Sequence, residues 1–148
     1  MFKIILLVVF FFLGINLHAN QESKDKVSIE NITIYYTDFQ NETFANVSCN
    51  DFKSEFFLDL KSIIIYNQKI IADIIMLIKK LEQNTAYEEI DARAKIEITY
   101  SYLKKDVLCI DMFTTMLNGQ QMKNDEGLIK KIRDIVYQHS RKRKHRIR

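Results

Sequence analysis

The chain has 148 residues, of which 47% are hydrophobic and 28% charged, and its formal net charge is +3. This length accommodates one domain and excludes a large multidomain enzyme. With no proline, three glycines and two cysteines, the composition also excludes a collagen-like chain, a Pro/Gly-rich disordered chain and a cysteine-dense mini-scaffold.

The first segment has the layout of a secretory signal peptide. Lys3 is followed by an uncharged apolar run over 4–15 and then by a short polar stretch that ends in Ala19. One cation, about a dozen apolar residues and a small residue before the cut are typical of a cleaved signal. We expect cleavage after Ala19 (residues 1–19), a secreted or periplasmic mature protein, and no transmembrane helix in it. An uncleaved anchor is the alternative, although a spanning helix needs about 20 apolar residues.

The first half of the mature chain predicts a strand, a short helix, an extended segment and a long helix. Residues 27–36 alternate between apolar and polar, with a one-residue slip at Glu30-Asn31 that indicates a bulge. Ser48 has the spacing of a helix cap, which predicts a short helix over about 49–59. Residues 62–66 favour a short extended segment. A helix of about 16 residues beginning near Asn67 follows from an apolar face at helical spacing. That face consists of Ile70, Ile71, Ile74, Ile75, Leu77, Ile78 and Leu81.

The second half predicts three antiparallel strands and a final helix. The alternating runs 95–103 and 107–113 are joined by three charged residues, as in a hairpin. Asn118-Gly119 is a strong signal for a type I′ turn, so a small hairpin is expected over about 114–123. The last helix is expected to begin at Asn124 or Asp125 and to end near His139. The simplest fold for 20–140 is a single α+β domain, in which an antiparallel sheet of about four strands carries two main helices on one face.

The two cysteines acquire a meaning once export is expected. Cys49 and Cys109 have 59 residues between them, and an even number of cysteines in an oxidising compartment raises the question of a disulfide. A bridge would stabilise the fold by about 4 kcal/mol on the chain-entropy estimate. Two free, buried thiols that pack as small apolar side chains are the alternative. The pattern leaves both open, because it does not show whether the sulfurs meet.

The basic residues are concentrated at the C-terminus. Residues 141–148 carry six cations, namely Arg141, Lys142, Arg143, Lys144, Arg146 and Arg148. Removing these and Lys3 from the formal charge of +3 leaves −4 for residues 20–140. We predict a disordered tail that contacts an anionic envelope surface in a salt-dependent way; nucleic acid is disfavoured because the protein is expected to be exported. A solubilising end without a dedicated partner is the alternative.

The histidines and glycines argue against the common catalytic sites. No histidine lies between 26 and 137, so a Ser–His or Cys–His nucleophile and a zinc site with histidine ligands are not expected within the domain. There is no Walker loop, dinucleotide-binding glycine pattern or HExxH motif. We therefore expect no cofactor, no metal and no enzymatic activity.

Three clustered carboxylates are candidates for metal binding or acid–base catalysis. Glu88, Glu89 and Asp91 cluster before the hairpin and could bind calcium or act as an acid and base pair. A solvated loop is favoured, because their spacing matches no calcium loop, and Arg93 is expected to form an ion pair with Asp91. Asp111 is expected to face water on its alternating strand.

Three loose motifs are shared with other proteins. They are Ser48-Cys49 followed by Phe52, Ile90-Asp91-Ala92-Arg93 before an alternating strand, and Cys109 with Phe113 and Asn118-Gly119 ahead of a final helix. Over about residues 48–136 the chain resembles small uncharacterised secreted bacterial proteins. The resemblance implies export and an α+β domain but no activity, and the basic tail departs from it.

The first functional hypothesis is a small exported, non-enzymatic domain that binds another macromolecule or is associated with the cell envelope. The second is a binder of anionic surfaces that acts through the tail. The third and least favoured is a carboxylate-based hydrolase.

Overall fold

In the computed structural model, residues 28–39, 43–86, 88–102 and 104–146 are described, without the side chains of 142–146. The predicted signal peptide lies outside them. The elements in chain order are β1 (Ile29–Tyr36), α1 (Phe52–Glu55), β2 (Lys61–Ile65), α2 (Gln68–Ile78), β3 (Ala94–Tyr100), β4 (Lys105–Ile110), β5 (Thr115–Leu117), β6 (Gln120–Met122) and α3 (Glu126–Arg146). No helix within these ranges is long and apolar enough to cross a membrane.

The strands form one antiparallel sheet in the order β2-β1-β3-β4-β5-β6. The α+β class and the antiparallel sheet are confirmed, but the sheet has six strands rather than about four. The difference arises because the extended segment before α2 joins the sheet as an edge strand. The small hairpin also continues the same ladder, with Leu108 of β4 opposite Leu117 of β5. The predicted bulge is confirmed by a register shift between Ile29 and Asn31.

One face of the sheet carries the main core and both long helices. Alternate residues of β1, β3 and β4 point to this face, where α2 and α3 cover them. The fully buried side chains of this core include Tyr36, Ile32, Ile34, Ala94, Ile96, Ile98, Leu108 and Ile110 on the strands and Ile74, Leu128 and Ile132 on the helices. The expectation that two main helices pack on one face is confirmed.

The opposite face is also covered, which the pattern did not predict. The segment 43–60, which includes α1, crosses this face and forms a second core. That core consists of Val47, Phe52, Phe56, Ile90, Ala92 and Cys109. Strand β4 is therefore buried on both faces at its end, where Leu108, Cys109 and Ile110 are all inaccessible to solvent.

A disulfide ties this covering segment to the sheet. Cys49 in the loop and Cys109 in β4 are bonded, with their Cα atoms 5.7 Å apart. The structure thus contains the bridge and not the two free thiols. Because Cys109 belongs to a central strand, the bridge fixes the loop to the most buried part of the molecule.

All three helices differ in length from the prediction. Helix α1 has only four residues, although the Ser48 hydroxyl accepts the expected hydrogen bond from the Asp51 amide at 3.2 Å. Helix α2 begins as predicted, where the Asn67 side chain accepts from two amides of the first turn, but it has 11 residues rather than about 16.

Helix α3 continues to Arg146 instead of ending near His139, so the backbone of 141–146, predicted to be disordered, is helical. No proline or glycine follows Gly127, and Lys and Arg are good helix formers that are favourable at a helix C-terminus.

The double variant Cys49→Ala/Cys109→Ala is expected to be less stable than the oxidised protein by about 4 kcal/mol, because the bridge closes a long loop in the unfolded chain. Urea unfolding monitored by circular dichroism measures the difference. Wild type in reducing agent should resemble the variant. An unchanged unfolding midpoint in both would show that the bridge does not hold the covering segment.

Candidate functional site

A cleft lies on the face that carries the disulfide. It has a volume of about 690 Å³ and is bounded by the loop around Cys49, the segment 88–90 and the β5–β6 hairpin. Ile90, Val107 and Met116 give it apolar walls. The polar residues that line it are Asn46, Ser48, Asn50, Glu88, Glu89, Lys95, Asn118 and Gln121. Apolar walls combined with polar groups are the usual character of a recognition site.

The turn between β5 and β6 positions one wall of this cleft. Asn118 and Gly119 both have positive φ, 51° and 80°, as the type I′ turn predicted from their sequence requires. In this conformation the Asn118 carboxamide oxygen accepts a hydrogen bond from the Val107 amide at 2.8 Å, and its nitrogen donates to Asp106 at 3.0 Å. The hairpin is therefore fastened to β4 beside the cleft.

Two polar side chains within the cleft have contrasting hydrogen bonding. The Lys95 ammonium donates to the Cys49 carbonyl at 2.9 Å, which anchors the disulfide loop to β3. The Gln121 carboxamide oxygen accepts from the Glu88 amide at 2.9 Å, but its Nε2 is buried and has no hydrogen-bond partner among the described residues. A buried donor without an acceptor costs free energy. A ligand that supplied an acceptor to Gln121 Nε2 would therefore remove this cost.

The three clustered carboxylates do not converge. Glu88 and Glu89 are exposed at the rim of the cleft, where Glu89 accepts from the Asn46 side chain at 3.0 Å. Asp91 instead forms the predicted ion pair with Arg93, and its Oδ1 also accepts from the Val47 amide at 3.0 Å. Among the residues that the structure describes, no three metal-ligating side chains gather in one group.

The Asp91–Arg93 pair anchors the covering segment from below. Arg93 is almost fully buried and donates to both oxygens of Asp91 and to the Thr43 hydroxyl. Burial opposes ionisation of Asp91, but the Val47 amide and the Arg93 guanidinium outweigh it, so the pKa of this carboxyl is lowered. The charge of Asp91 therefore stabilises the fold.

Asp111 does not face water, contrary to expectation. It is 7% exposed, and its carboxylate accepts from the amides of Phe113, Thr114 and Asp91. The prediction failed because β4 ends at Ile110, so the alternation no longer applies at Asp111. The carboxylate instead organises the turn into β5.

The C-terminal basic run begins just after α3 passes the end of β1. The Tyr36 hydroxyl lies 3.3 Å from both His139 Nδ1 and Ser140 Oγ. Arg141 follows and is exposed, and the helical backbone then carries the cations of 142–146 onward. Arg148 lies outside the described residues.

Lys95 and Gln121 were not singled out from the sequence. Alternation alone places Lys95 on the same face of the sheet as Cys109, its neighbour in register. For Gln121 no signal existed, because its role depends on a segment more than 30 residues away in the chain.

No protein-family model matches this chain, and neither the curated proteins nor the solved structures contain a significant match. The resemblance to small secreted bacterial proteins therefore stays a prediction.

Replacing Asp91 with Asn is expected to lower the free energy of unfolding at pH 7 by about 1–3 kcal/mol, because Arg93 then loses its partner. Since folding lowers the pKa of Asp91, its contribution is present above the unfolded-state value of about 3.9 and disappears as the pH falls through the folded value. The difference between wild type and variant should therefore shrink at low pH. Urea titrations at several pH values measure it.

Glu82→Gln is the matched control, because Glu82 pairs with Lys123 on the surface, where their side chains are 71% and 63% exposed. Its stability at pH 7 should stay close to that of wild type. If Asp91→Asn were equally harmless, the ion pair would not anchor the covering segment.

Proposed function

We propose that the protein is an exported, non-enzymatic domain that binds an anionic component of the cell envelope through the basic end of α3. The observation that carries this proposal is the continuation of α3 through Arg146, since it presents the cations on a helix that is rooted in the core. The partner class is a surface of phosphate or carboxylate groups, such as anionic lipid.

Charge segregation supports this proposal. Residues 20–140 have a formal charge of −4, whereas the last eight residues carry six cations. Five of these cations lie within the helical segment 141–146, which is about 9 Å long at the usual rise per residue. Each Lys or Arg close to an anionic bilayer contributes about 1 kcal/mol. The acidic remainder of the domain is repelled by the same surface, so the helix end is the part that makes contact.

The N-terminal pattern and the disulfide both favour export. The segment 1–19 has the layout of a secretory signal, and disulfides persist mainly in oxidising compartments. The Cys49–Cys109 bridge also holds down the segment that covers part of the second face of the sheet. A domain that depends on such a bridge fits an extracytoplasmic location.

A binding role is favoured over catalysis by the roles of the buried acidic side chains. Asp91 is held in an ion pair and Asp111 in a turn, so both carboxylates serve the fold. Glu88 and Glu89 lie exposed at the rim of the cleft, where Glu89 accepts from the Asn46 side chain. The cleft, with its amide groups and unpartnered Gln121 Nε2, is the second surface at which a macromolecular partner could be recognised.

Export is tested by expressing the full chain in a bacterium and measuring the mass of the non-reduced protein recovered outside the cytoplasm. Removing 19 of the 148 residues leaves 129, beginning at Asn20. The expected mass is that of this chain less two hydrogen atoms, because the bridge is formed. Cytoplasmic protein that retains Met1 and two free thiols would contradict the proposal.

Surface binding is tested with vesicles of phosphatidylglycerol and phosphatidylcholine. The mature protein should bind these vesicles at about 50 mM salt and dissociate from them at about 200 mM salt. It should not bind vesicles of phosphatidylcholine alone. A chain truncated after Ser140 loses about six cations and should bind at least 100-fold more weakly.

Two double variants that each remove two cations test whether the basic end of α3 is the contact with the vesicle. Arg141→Gln/Arg143→Gln should weaken binding about tenfold or more, whereas Lys79→Gln/Lys80→Gln removes the same charge at the end of α2 and should change it little. Equal binding by the truncated and full chains would show that the helix end is not the contact.

A further inference from the structure

The two edges of the sheet are protected to different degrees. Beyond β6 the segment 82–84 closes the edge: Gln83 bridges to Met122, the Asn84 amide donates to the Gln121 carbonyl at 2.9 Å, and the Lys123 amide donates to the Glu82 carbonyl at 2.7 Å. An ion pair between Lys123 and Glu82 reinforces this closure. The backbone groups at this edge are therefore not available to another strand.

Strand β2 forms the other edge and has no such cover within the described residues. It pairs with β1 alone, so the outer row of its N–H and C=O groups has no strand partner there. Natural edge strands are usually protected by short length, by charged side chains such as Lys, by proline or by bulges. The sequence of β2 is KSIII, which contains no proline and only one charge, at its first position, and its register with β1 is regular.

Exposed apolar side chains gather at this edge. Four of the ten exposed large hydrophobic residues among the described positions lie between 57 and 66. They are Phe57, Leu58, Ile64 and Tyr66, and each is between 54% and 91% exposed. Isolated apolar residues on a surface need no explanation, but four within a ten-residue stretch that contains an edge strand favour an interface.

We propose that β2 pairs antiparallel with β2 of a second copy of this chain, so that two six-stranded sheets join into one of twelve strands across a two-fold axis. Ile64 lies opposite its symmetry mate, Ile63 lies opposite the partner's Ile65, and Ser62 lies opposite the partner's Tyr66. Main-chain hydrogen bonds provide the affinity, as in other strand-addition complexes.

The chemistry of the strand favours a second copy as the occupant. In this register apolar residues meet apolar residues at the centre, and Lys61 lies opposite the partner's Asn67 rather than opposite another cation. The two Lys61 residues are then about 20 Å apart along the strands, which is beyond the screening length at physiological salt. Repulsion between the two Lys61 side chains therefore opposes the pairing little.

The exposed area is also sufficient for a modest dimer. If each of the four apolar side chains buries on the order of 130 Å², the two copies together bury roughly 1,000 Å². This is about the lower limit for a specific interface, before the strands themselves are counted. The dimer should therefore be weak and dependent on concentration.

Analytical ultracentrifugation of the mature, disulfide-bonded protein tests the proposal. We expect a monomer that converts to a dimer as the concentration rises. Ile64→Lys places two cations opposite each other at the two-fold axis and should raise the dimer dissociation constant at least tenfold. Phe113→Lys is the matched control, because Phe113 is 78% exposed in the turn between β4 and β5, away from this edge in the strand order. It should dimerise like wild type.

Two further measurements test the proposed dimer independently of the proposed surface binding. The chain truncated after Ser140 should still dimerise, whatever its binding to vesicles, because the tail takes no part in the strand pairing. Hydrogen exchange should show that β2 amides become protected as the dimer forms, while circular dichroism confirms that Ile64→Lys is folded.

A protein that stays monomeric at all concentrations would overturn the proposal, as would a dimer that Ile64→Lys leaves intact. A monomer with protected β2 amides would show instead that another part of the chain covers the edge.

Discussion

The Cys49–Cys109 disulfide is the contact on which the second face of the sheet depends. It joins the covering segment 43–60 to β4, a central strand whose end is buried on both faces. Helix α1 has only four residues and has little stability of its own. The bridge and the Lys95 hydrogen bond to the Cys49 carbonyl hold this segment in place, and the cleft beside it exists because they do.

Two acidic side chains near this segment, Asp91 and Asp111, are held by hydrogen bonds within the fold. Asp91 and Asp111 each satisfy several donors, and the Asp91 amide donates to Asp111, so the two are part of one network. The network joins the loop before α1 to the turn after β4. A carboxylate held by a guanidinium and by backbone amides stays ionised, which suits a structural anchor.

Helix α3 connects the core to the proposed binding surface. Its first part packs on the sheet through Leu128, Ile132 and Val136, and its last part carries the basic run. The contact between Tyr36 and the His139–Ser140 turn lies near the boundary between these two parts. The two proposals therefore concern separate surfaces, the cationic end of α3 and the strand edge that is uncovered among the described residues, and each can be tested without the other.

The amino-acid sequence by itself determined the elements whose signals are local. The strand alternation, the bulge after Ile29, the Asn67 cap and the Asn118-Gly119 turn could all be recognised, because each depends on residues close together in the chain. The Asp91–Arg93 ion pair could be predicted for the same reason.

Only the tertiary structure decided the six-stranded sheet, the covered second face, the burial of Asp111 and the meeting of the two cysteines. The walls of the cleft were also beyond prediction, since Lys95, Asn118 and Gln121 come from three different strands or turns. Each of these features depends on which distant segments pack together, and a periodicity of two or 3.6 residues shows that a face is apolar without showing what will cover it.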